Sequence, residues 1–231
     1  MRRQPVQERS RQTRDEILDV AARLFADRGY AGTTIQDVLT HSSATKGRFY
    51  HHFPDKESLA EAVVTESMVV DSLPPMVLPR LQAVVDASIL LATASVRVPV
   101  VRAACRLSTE QNQPFYGSLW TAYIPLVGDW LTEARDLGEL LPGVDPRDTA
   151  AFWVDAYTGV DMRYRYEYEQ MPVQISQMTR QVVRGIATPE TMMLLDVSVA
   201  RGETLFELSP WAGGDQNGSV PAEQAGVGAQ D

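Results

Sequence analysis

The chain has 231 residues, of which 44% are hydrophobic and 22% are charged, a composition typical of a globular protein that buries a core. The single cysteine, Cys105, excludes an internal disulfide framework and a cysteine-based zinc site, and it favours a reducing, cytoplasmic setting. No apolar run reaches the roughly 18 residues of a membrane span, and no apolar stretch follows the N-terminal arginines. We therefore expect neither a transmembrane helix nor a secretory signal peptide.

Charge is distributed unevenly along the chain. Residues 1–58 carry 10 Lys and Arg against 8 Asp and Glu, whereas the remaining 173 residues carry 11 against 22, for a net charge of −9 overall. Both lysines and all three histidines lie in the first segment. Composition therefore predicts a small basic N-terminal unit and a large acidic remainder, and only the first suits a polyanionic partner.

The N-terminal unit is predicted to contain three helices. Residues 1–11 are polar and arginine-rich and are expected to form a flexible basic arm. From Thr13 onwards, apolar residues recur at helical spacing as far as Phe25, and Gly29 provides a stop signal. Thr34 (or Thr33) and Thr45 can then cap two short helices joined by a turn of about four residues. We assign residues 12–58, called the head below, to this unit.

The rest of the chain is also predicted to be helical. A helix that begins near Lys56 is expected to join the head to the body, which we define as residues 59–208 and which includes this connecting helix. The connecting helix can run through the structural boundary between the two domains, which we place near residue 70. Pro and Gly signals separate further helices predicted at 81–96, 100–107, 119–137, 149–168, 173–186 and 191–208. Residues 209–231 have little to bury apart from Trp211, so we expect a disordered tail. The predicted fold class is all-α, with an N-terminal three-helix helix-turn-helix domain joined to a larger helical domain.

Two short helices joined by a tight turn and set on a longer first helix are typical of the helix-turn-helix arrangement, in which the second short helix enters the major groove of DNA. Here that helix carries Lys46 and Tyr50, which suit phosphate, and Gly47, which permits close approach of the backbone. Arg48 is long enough to reach guanine O6 and N7. The helix N-terminus and Lys56 add positive potential for phosphates.

Three segments resemble the DNA-binding domain of TetR family transcriptional repressors: LFADRGY at 24–30, TIQDV at 34–38 and TKGRFYHHFPDKESL at 45–59. The resemblance covers residues 10–65 and implies an all-helical homodimer whose body forms both a ligand pocket and the dimer interface. It also implies core packing by Phe49 and Phe53. With the two capping threonines included, the candidate DNA-binding residues are Thr34, Thr45, Lys46, Gly47, Arg48, Tyr50, His51 and Lys56.

The head departs from the family pattern at two places. Ser42 and Ser43 stand where the family usually has Ala-Gly in the turn, and a residue other than glycine at positive φ costs on the order of 1 kcal/mol. A positive φ at either serine would therefore strain the turn. Arg48 occupies a position usually filled by a small residue, which predicts an individual base preference.

The body carries a second resemblance. The segments VVRAACRLS at 100–108 and GELLP at 138–142, and the Thr158-Gly159 step, resemble the γ-butyrolactone receptor branch, which controls antibiotic production in streptomycetes. Those receptors keep a tryptophan over the lactone, where this chain has Tyr123, with Trp120 nearly one helical turn earlier. The resemblance thus implies either a repacked pocket or a divergent pseudo-receptor for a different molecule.

Ligand pockets are mostly apolar with a few polar anchors. The candidate ligand-binding residues are Trp120, Tyr123, Trp153, Tyr157 and Thr158, with plain core packing as the alternative for each aromatic residue. Arg102 and Arg106, one turn apart, are either partners of nearby carboxylates or surface charges. The resemblance implies a dimer surface built from the helices predicted at 149–168 and 191–208.

The expected function is a ligand-responsive repressor that binds double-stranded operator DNA of roughly palindromic sequence as a homodimer. A small, largely apolar effector, such as a γ-butyrolactone-type signal or an antibiotic-related molecule, is expected to release it. The alternative is a DNA-binding repressor with no small-molecule effector.

Other classes of function are disfavoured by the sequence. An enzyme is disfavoured because Cys105 and Ser108 lie close in sequence to no histidine and no phosphate-cradling Gly-rich loop is present. A metal site is disfavoured because His51 and His52 point roughly 100° apart on a helix and no third ligand is in view. We predict no cofactor and no membrane partner.

Overall fold

The computed structural model describes residues 6–67 and 78–212, and within these ranges the regular structure is helical apart from one isolated β-bridge between Leu140 and Ala187. The predicted all-α class is confirmed. The helices are α1 Val6–Arg28, α2 Ile35–His41, α3 Lys46–His52, α4 Lys56–Glu66, α5 Leu81–Arg97, α6 Pro99–Thr109, α7 Ser118–Asp136, α8 Pro146–Tyr164, α9 Met171–Ile186, α10 Pro189–Met192 and α11 Val199–Leu208, with 3₁₀ turns at Tyr168–Gln170 and Pro210–Ala212.

The first helix is longer at its N-terminus than the sequence predicts. Helix α1 begins at Val6, so residues 6–11 of the expected flexible arm are helical. The apolar pattern that begins after Thr13 marks only the part of α1 that is buried. Residues 1–5 of the arm, the expected boundary near residue 70 and residues 213–231 of the expected tail lie outside the described residues.

The prediction of one helix over 191–208 is wrong. Helix α10 ends at Met192 and α11 begins at Val199, because the segment between them is held by polar side chains. The Asp196 carboxylate accepts a hydrogen bond from the Ser198 backbone N–H at 2.9 Å, and the Ser198 hydroxyl accepts one from the Arg201 N–H at 3.3 Å. Serine and aspartate at such positions cap a new helix rather than continue an old one.

Two further boundaries also differ from the prediction. The helix expected over 149–168 runs from Pro146 to Tyr164, and a 3₁₀ turn holds Tyr168. At the C-terminus, Ser209 and Trp211 are buried rather than part of a disordered tail. The indole of Trp211 packs in the same apolar cluster as the head.

The head does not have an apolar core of its own. Phe25, Phe49 and Leu59, all fully buried, belong to one cluster with Val101 and Leu107 of α6. A second cluster packs α5, α7, α8 and α9 around Trp153. Because helix α6 contributes to the first cluster and also packs on α7 and α8, it connects the head to the centre of the body.

Polar contacts fix α6 to the end of α1. The Arg106 guanidinium donates hydrogen bonds to the carbonyl oxygens of Ala26 and Asp27, at 3.1 and 3.0 Å, and so satisfies carbonyls that the end of a helix leaves free. One Glu110 oxygen lies 3.2 Å from the Arg106 Nε, and the other accepts the Tyr30 backbone N–H at 2.8 Å. These contacts of Arg106 and Glu110 with residues 26–30 are called the α1–α6 clamp below. Arg106 is thus the partner of a carboxylate rather than a surface charge.

No single helix among residues 6–67 and 78–212 combines the length and the apolar composition that crossing a membrane requires. Helices α5 and α6 meet that requirement only as a pair, and the pair is bent by 108°.

The clamp predicts an unusual sensitivity at Gly29. This glycine has φ of +74°, and a Cβ atom there would lie 1.7 Å from Glu110 Oε1. Gly138 has nearly the same φ, +75°, but a Cβ there meets nothing within 4 Å among the described residues. We expect Gly138→Ala to lower the free energy of unfolding by about 1 kcal/mol through backbone strain alone. Gly29→Ala should cost at least twice that in urea denaturation, and equal losses would show that Glu110 does not constrain this turn.

Candidate DNA-binding face and ligand cavity

The two short helices of the head begin at threonine caps. The Thr34 hydroxyl accepts the Asp37 N–H at 3.1 Å while the Asp37 carboxylate accepts the Thr34 N–H at 2.9 Å, a reciprocal capping box. The Thr34 hydroxyl also lies 2.6 Å from the Asp37 carboxylate, and this contact, followed by the bond from the Thr34 N–H, holds the pKa of Asp37 below its usual value. The Thr45 hydroxyl caps α3 by accepting the Arg48 N–H at 3.4 Å. Capping fixes where each helix of only seven residues begins.

The turn between these helices is held by α1 and is not strained. Both Glu16 oxygens accept hydrogen bonds from Ser43, one from its N–H and one from its hydroxyl, each at 2.6 Å. Ser42 has φ of −115°, and Ser43 is not among the residues with positive φ. Neither serine therefore has the positive φ that would strain the turn, and Ser43 supplies a hydroxyl for Glu16 where glycine would offer none.

Helix α3 presents a polar face to solvent. Its one buried side chain, Phe49, is fully enclosed in the core of the head, whereas the Tyr50 side chain is 44% exposed. The rest of this surface, called the α3 face below, consists of Thr45, Lys46, Gly47, Arg48 and His51, all exposed.

The side chains of the α3 face are little used within the chain. Among the described residues, the side chains of Lys46 and Arg48 form no ion pair, and a Cβ built on Gly47 meets nothing within 4 Å. Packing inside the chain therefore does not explain the glycine. Its predicted role, close approach of DNA to the backbone of α3, stays a prediction.

The structure gives Lys56 a different environment from the predicted one. Its ammonium group donates to the carbonyl oxygens of Tyr30 and Thr33, at 3.0 and 3.1 Å, and lies 4.1 Å from the centre of the Tyr30 ring. An ammonium group has three donors, so one is left for a phosphate. Lys56 thus joins α4 to the loop after α1, and the α3 face does not include it.

All five predicted ligand-binding residues line one cavity in the body. Helices α5, α6, α7 and α8 enclose this cavity, which has a volume of about 60 Å³. Its walls are mainly apolar, and the indole N–H groups of its two tryptophans already have partners. Trp120 donates to the Thr158 hydroxyl at 3.0 Å, and Trp153 donates to the Ser88 hydroxyl at 2.8 Å.

Sequence reasoning missed the polar end of the cavity, which is formed by Cys105, Ser108 and Thr109 of α6 and Asp161 of α8. Asp161 follows Tyr157 and Thr158 by four and three residues, so helical spacing places it on the same face of α8. That periodicity is the signal that would have found it. The α6 residues carried no comparable signal, because their position depends on how α6 packs against α8.

Burial perturbs the titratable groups at this end. The Asp161 side chain is 2% exposed, and burial raises its pKa to about 6, although Arg165 at 3.8 Å lowers it in part. Burial also raises the pKa of the Cys105 thiol well above its usual value, and the negative charge of Asp161 raises this pKa further. The thiol therefore stays protonated and unreactive at neutral pH.

Comparisons with known proteins show the family to which the chain belongs. Residues 17–63 match the family model of bacterial regulatory proteins of the tetR family. The A-factor receptor protein of Streptomyces griseus is 31% identical over 187 residues, which cover 79% of this chain and 67% of the receptor. The repressor KstR2 of Mycolicibacterium smegmatis is 44% identical over 53 residues, which cover 23% of this chain and 26% of that repressor.

Solved structures extend the likeness to the body. TylP, a TetR regulator from Streptomyces fradiae, superposes with a TM-score of 0.75 at 32% identity, covering 86% of this chain and 98% of TylP. A γ-butyrolactone receptor described as ArpA-like gives a TM-score of 0.67 at 25% identity, covering 86% and 97%. The chain therefore belongs to the TetR family of bacterial regulatory proteins, whose members are regulators rather than enzymes. Within that family it is a transcriptional repressor related to the A-factor and γ-butyrolactone receptors.

The buried Asp161 carboxylate predicts a pH-dependent stability. Its pKa of about 6 in the folded protein exceeds the ordinary value of 3.8, so the folded protein binds this proton more tightly than the unfolded chain does. The difference corresponds to about 3 kcal/mol of destabilisation above pH 6, which is relieved as the pH falls from 7 towards 4.

We expect Asp161→Asn to raise the free energy of unfolding at pH 7 by up to about 3 kcal/mol and by clearly less at pH 5. Urea denaturation at the two pH values measures this effect. Asp155→Asn, on the exposed surface of the same helix, serves as the control and should change little. An Asp161→Asn variant that is less stable than the wild type at pH 7 would contradict the assignment of an uncompensated charge.

Proposed function

We propose that the chain acts as a homodimer that binds a roughly palindromic operator through the α3 face and releases it when a small, largely apolar molecule occupies the cavity. The single observation that supports operator binding is the α3 face, which has exposed cations and a glycine that nothing among the described residues requires. Two such helices related by a two-fold axis fit successive major grooves about 34–36 Å apart. A structure of CprB from Streptomyces coelicolor with its biological operator, 25% identical with a TM-score of 0.68, supports this reading.

The cavity supports the second half of the proposal. A mainly apolar lining with a few polar groups suits a γ-butyrolactone-type signal or an antibiotic-related molecule. Tyr123 lines the cavity beside Trp120, so this chain has an aromatic pair where the receptors have one tryptophan over the lactone.

Helix α6 provides the physical connection between cavity and head. Cys105, Ser108 and Thr109 line the cavity, while Arg106 and Glu110 of the same turns form the α1–α6 clamp. A ligand that enlarges the cavity displaces α6, and the clamp transmits that displacement to the head. The two α3 faces then lose the spacing of the grooves. A coupling free energy of about 1–3 kcal/mol would weaken operator binding roughly 5- to 150-fold.

The dimer surface proposed from the structure differs from the one expected. Helix α11 packs on α5 within the chain: Leu205 and Phe206 are buried, and a Cβ on Gly202 would lie 2.5 Å from Ile89. Helix α8 instead exposes Phe152 and Met162, 61% and 54% exposed, on either side of the exposed Gly159. Helix α9 exposes Val173. We therefore assign the dimer surface to α8 and α9 rather than to α8 and α11.

The central experiment is a selection of duplexes from a random pool at physiological salt, followed by sequencing of the bound fraction. The proposal predicts an enriched palindrome with half-site centres one helical turn, or a multiple of it, apart. Extracts containing small metabolites are then titrated against the selected duplex. Release supports an effector, whereas binding that no extract weakens favours the alternative of a repressor without one. Absence of any enriched sequence would refute the operator proposal.

Two substitutions on the α3 face should have different effects on the selected operator. Lys46→Ala should weaken binding to all sequences and reduce the salt dependence by about one ion per half-site, because it removes a phosphate contact. Arg48→Ala should lower affinity by about 1–3 kcal/mol mainly at one base pair and relax the preference there. Titrations over a set of single-base variants at two salt concentrations separate the effects. If Lys46→Ala and Arg48→Ala each weakened binding equally on every duplex, Arg48 would not be a base-recognition residue.

The dimer surface is tested by placing arginine on either candidate helix. We expect Gly159→Arg to shift the protein to monomers in sedimentation velocity, because it puts two like charges against each other across the two-fold axis. The chain remains folded because arginine is a better helix former than glycine. Thr204→Arg, on the exposed side of α11, is the matched control and should leave the dimer intact. The reverse result would return the interface to α11.

A further inference from the structure

The polar end of the cavity contains two buried groups whose hydrogen-bonding capacity is unused. Neither oxygen of the Asp161 carboxylate accepts a hydrogen bond from the described residues, and the buried Tyr157 hydroxyl also has no partner there. Both residues line the cavity, and both belong to one face of α8 because they are four residues apart. A buried polar atom without a partner is unfavourable, so a ligand that bonds both groups is favoured over one that leaves them unpaired.

The charge of Asp161 is offset in part by a cation, and its hydrogen-bonding capacity is unused. The Arg165 guanidinium lies 3.8 Å from the carboxylate, close enough to attract its charge and too far for a hydrogen bond. The same guanidinium donates to the Thr109 hydroxyl on α6, which keeps it in place. Arg102, over the Tyr168 ring, adds a second cation to this region. A positively charged ligand group at Asp161 would therefore lie close to a guanidinium that the carboxylate already attracts, whereas a neutral group adds no charge there.

A hydroxyl group fits this pair better than other small polar groups. It donates one hydrogen bond, which Asp161 can accept, and it accepts one, which Tyr157 can donate. An ether oxygen accepts but cannot donate, so it would leave Asp161 unsatisfied. An ammonium donates but cannot accept, and it adds charge. Water can occupy the same position in the free protein, and a ligand hydroxyl reproduces its hydrogen bonds when it displaces that water.

We infer that the cavity selects an apolar molecule that carries a neutral hydroxyl group, with Asp161 as the hydrogen-bond acceptor and Tyr157 as the donor that fix its orientation. This inference rests on the proposed ligand-binding role of the cavity and names the chemistry that the ligand must present. Asp161 is then the specificity-determining residue, because a cavity with a buried acceptor rejects analogues that lack the donor more strongly than an apolar wall rejects extra size.

The test uses three probes of equal length, namely 1-hexanol, its isomer 1-methoxypentane and hexylamine. Binding is followed by tryptophan emission, to which Trp120 and Trp153 in the cavity wall contribute, and by the thermal midpoint. We expect 1-hexanol to bind the wild-type protein roughly tenfold more tightly than 1-methoxypentane, with hexylamine weaker than the alcohol. Equal affinities for the isomers, binding by none of the probes, or strongest binding by hexylamine would each overturn the inference.

Substitutions show which residue produces the preference for the alcohol over the ether. Asp161→Leu should abolish the preference for the alcohol over the ether. Asp161→Asn, which keeps a weaker acceptor and removes the buried charge, should reduce it and serves if the leucine variant does not fold. Tyr157→Phe should weaken both isomers alike, because both accept from the tyrosine hydroxyl. Asp155→Asn is the matched control and should retain the wild-type preference. A preference that survives Asp161→Leu would remove Asp161 from ligand selection.

Operator binding is measured on the same preparations without probes, so that the two proposals fail separately. A protein that binds its selected operator but does not distinguish the isomers refutes only the hydroxyl inference. A protein that distinguishes the isomers but enriches no duplex refutes the operator proposal and leaves the selectivity of the cavity intact.

Discussion

The attachment of α6 to the C-terminal end of α1 is the constraint on which the rest of the structure depends. Arg106 satisfies two carbonyl oxygens at the end of α1, and Glu110 holds the first N–H beyond Gly29. The bonds are largely shielded from solvent, with 12% and 19% of the two side chains exposed. Because the same turns of α6 line the cavity, one helix contacts both the head and the cavity.

Several contacts hold the short helices of the head in place, including the helix that forms the α3 face. Threonine caps begin α2 and α3, Glu16 holds the turn between them, and Phe49 anchors α3 in a core shared with α6. A rigid α3 loses little conformational entropy when it binds DNA. In the proposed mechanism, a displacement of α6 changes the position of the head relative to its partner in the dimer. The buried Asp161, which costs stability, lines the cavity.

Local signals were sufficient to predict the head, whereas the body required contacts between distant residues. The spacing from Ile17 to Phe25, the threonine caps and the motif around Phe49 all act within a few residues of one another. The five cavity residues were also found, since aromatic side chains at helical spacing share a face. In contrast, Glu110 meets Tyr30 across 80 positions of sequence, and Asp161 owes its raised pKa to helices packed around it. The division of 191–208 into two helices, by contrast, has a local signal that the prediction did not use, namely the capping residues Asp196 and Ser198.

The most direct test is a measurement of the distance between the two heads of the dimer by pulsed electron–electron double resonance. A spin label attached at Glu57→Cys, an exposed head position, reports this distance, and the buried Cys105 does not compete for the label. We expect one narrow distance for the operator-bound wild-type protein. Arg106→Gln, which loses the clamp, should give a broad distribution of distances and weaker operator binding. An Arg106→Gln variant with the distance distribution and operator affinity of the wild type would show that α6 does not position the heads.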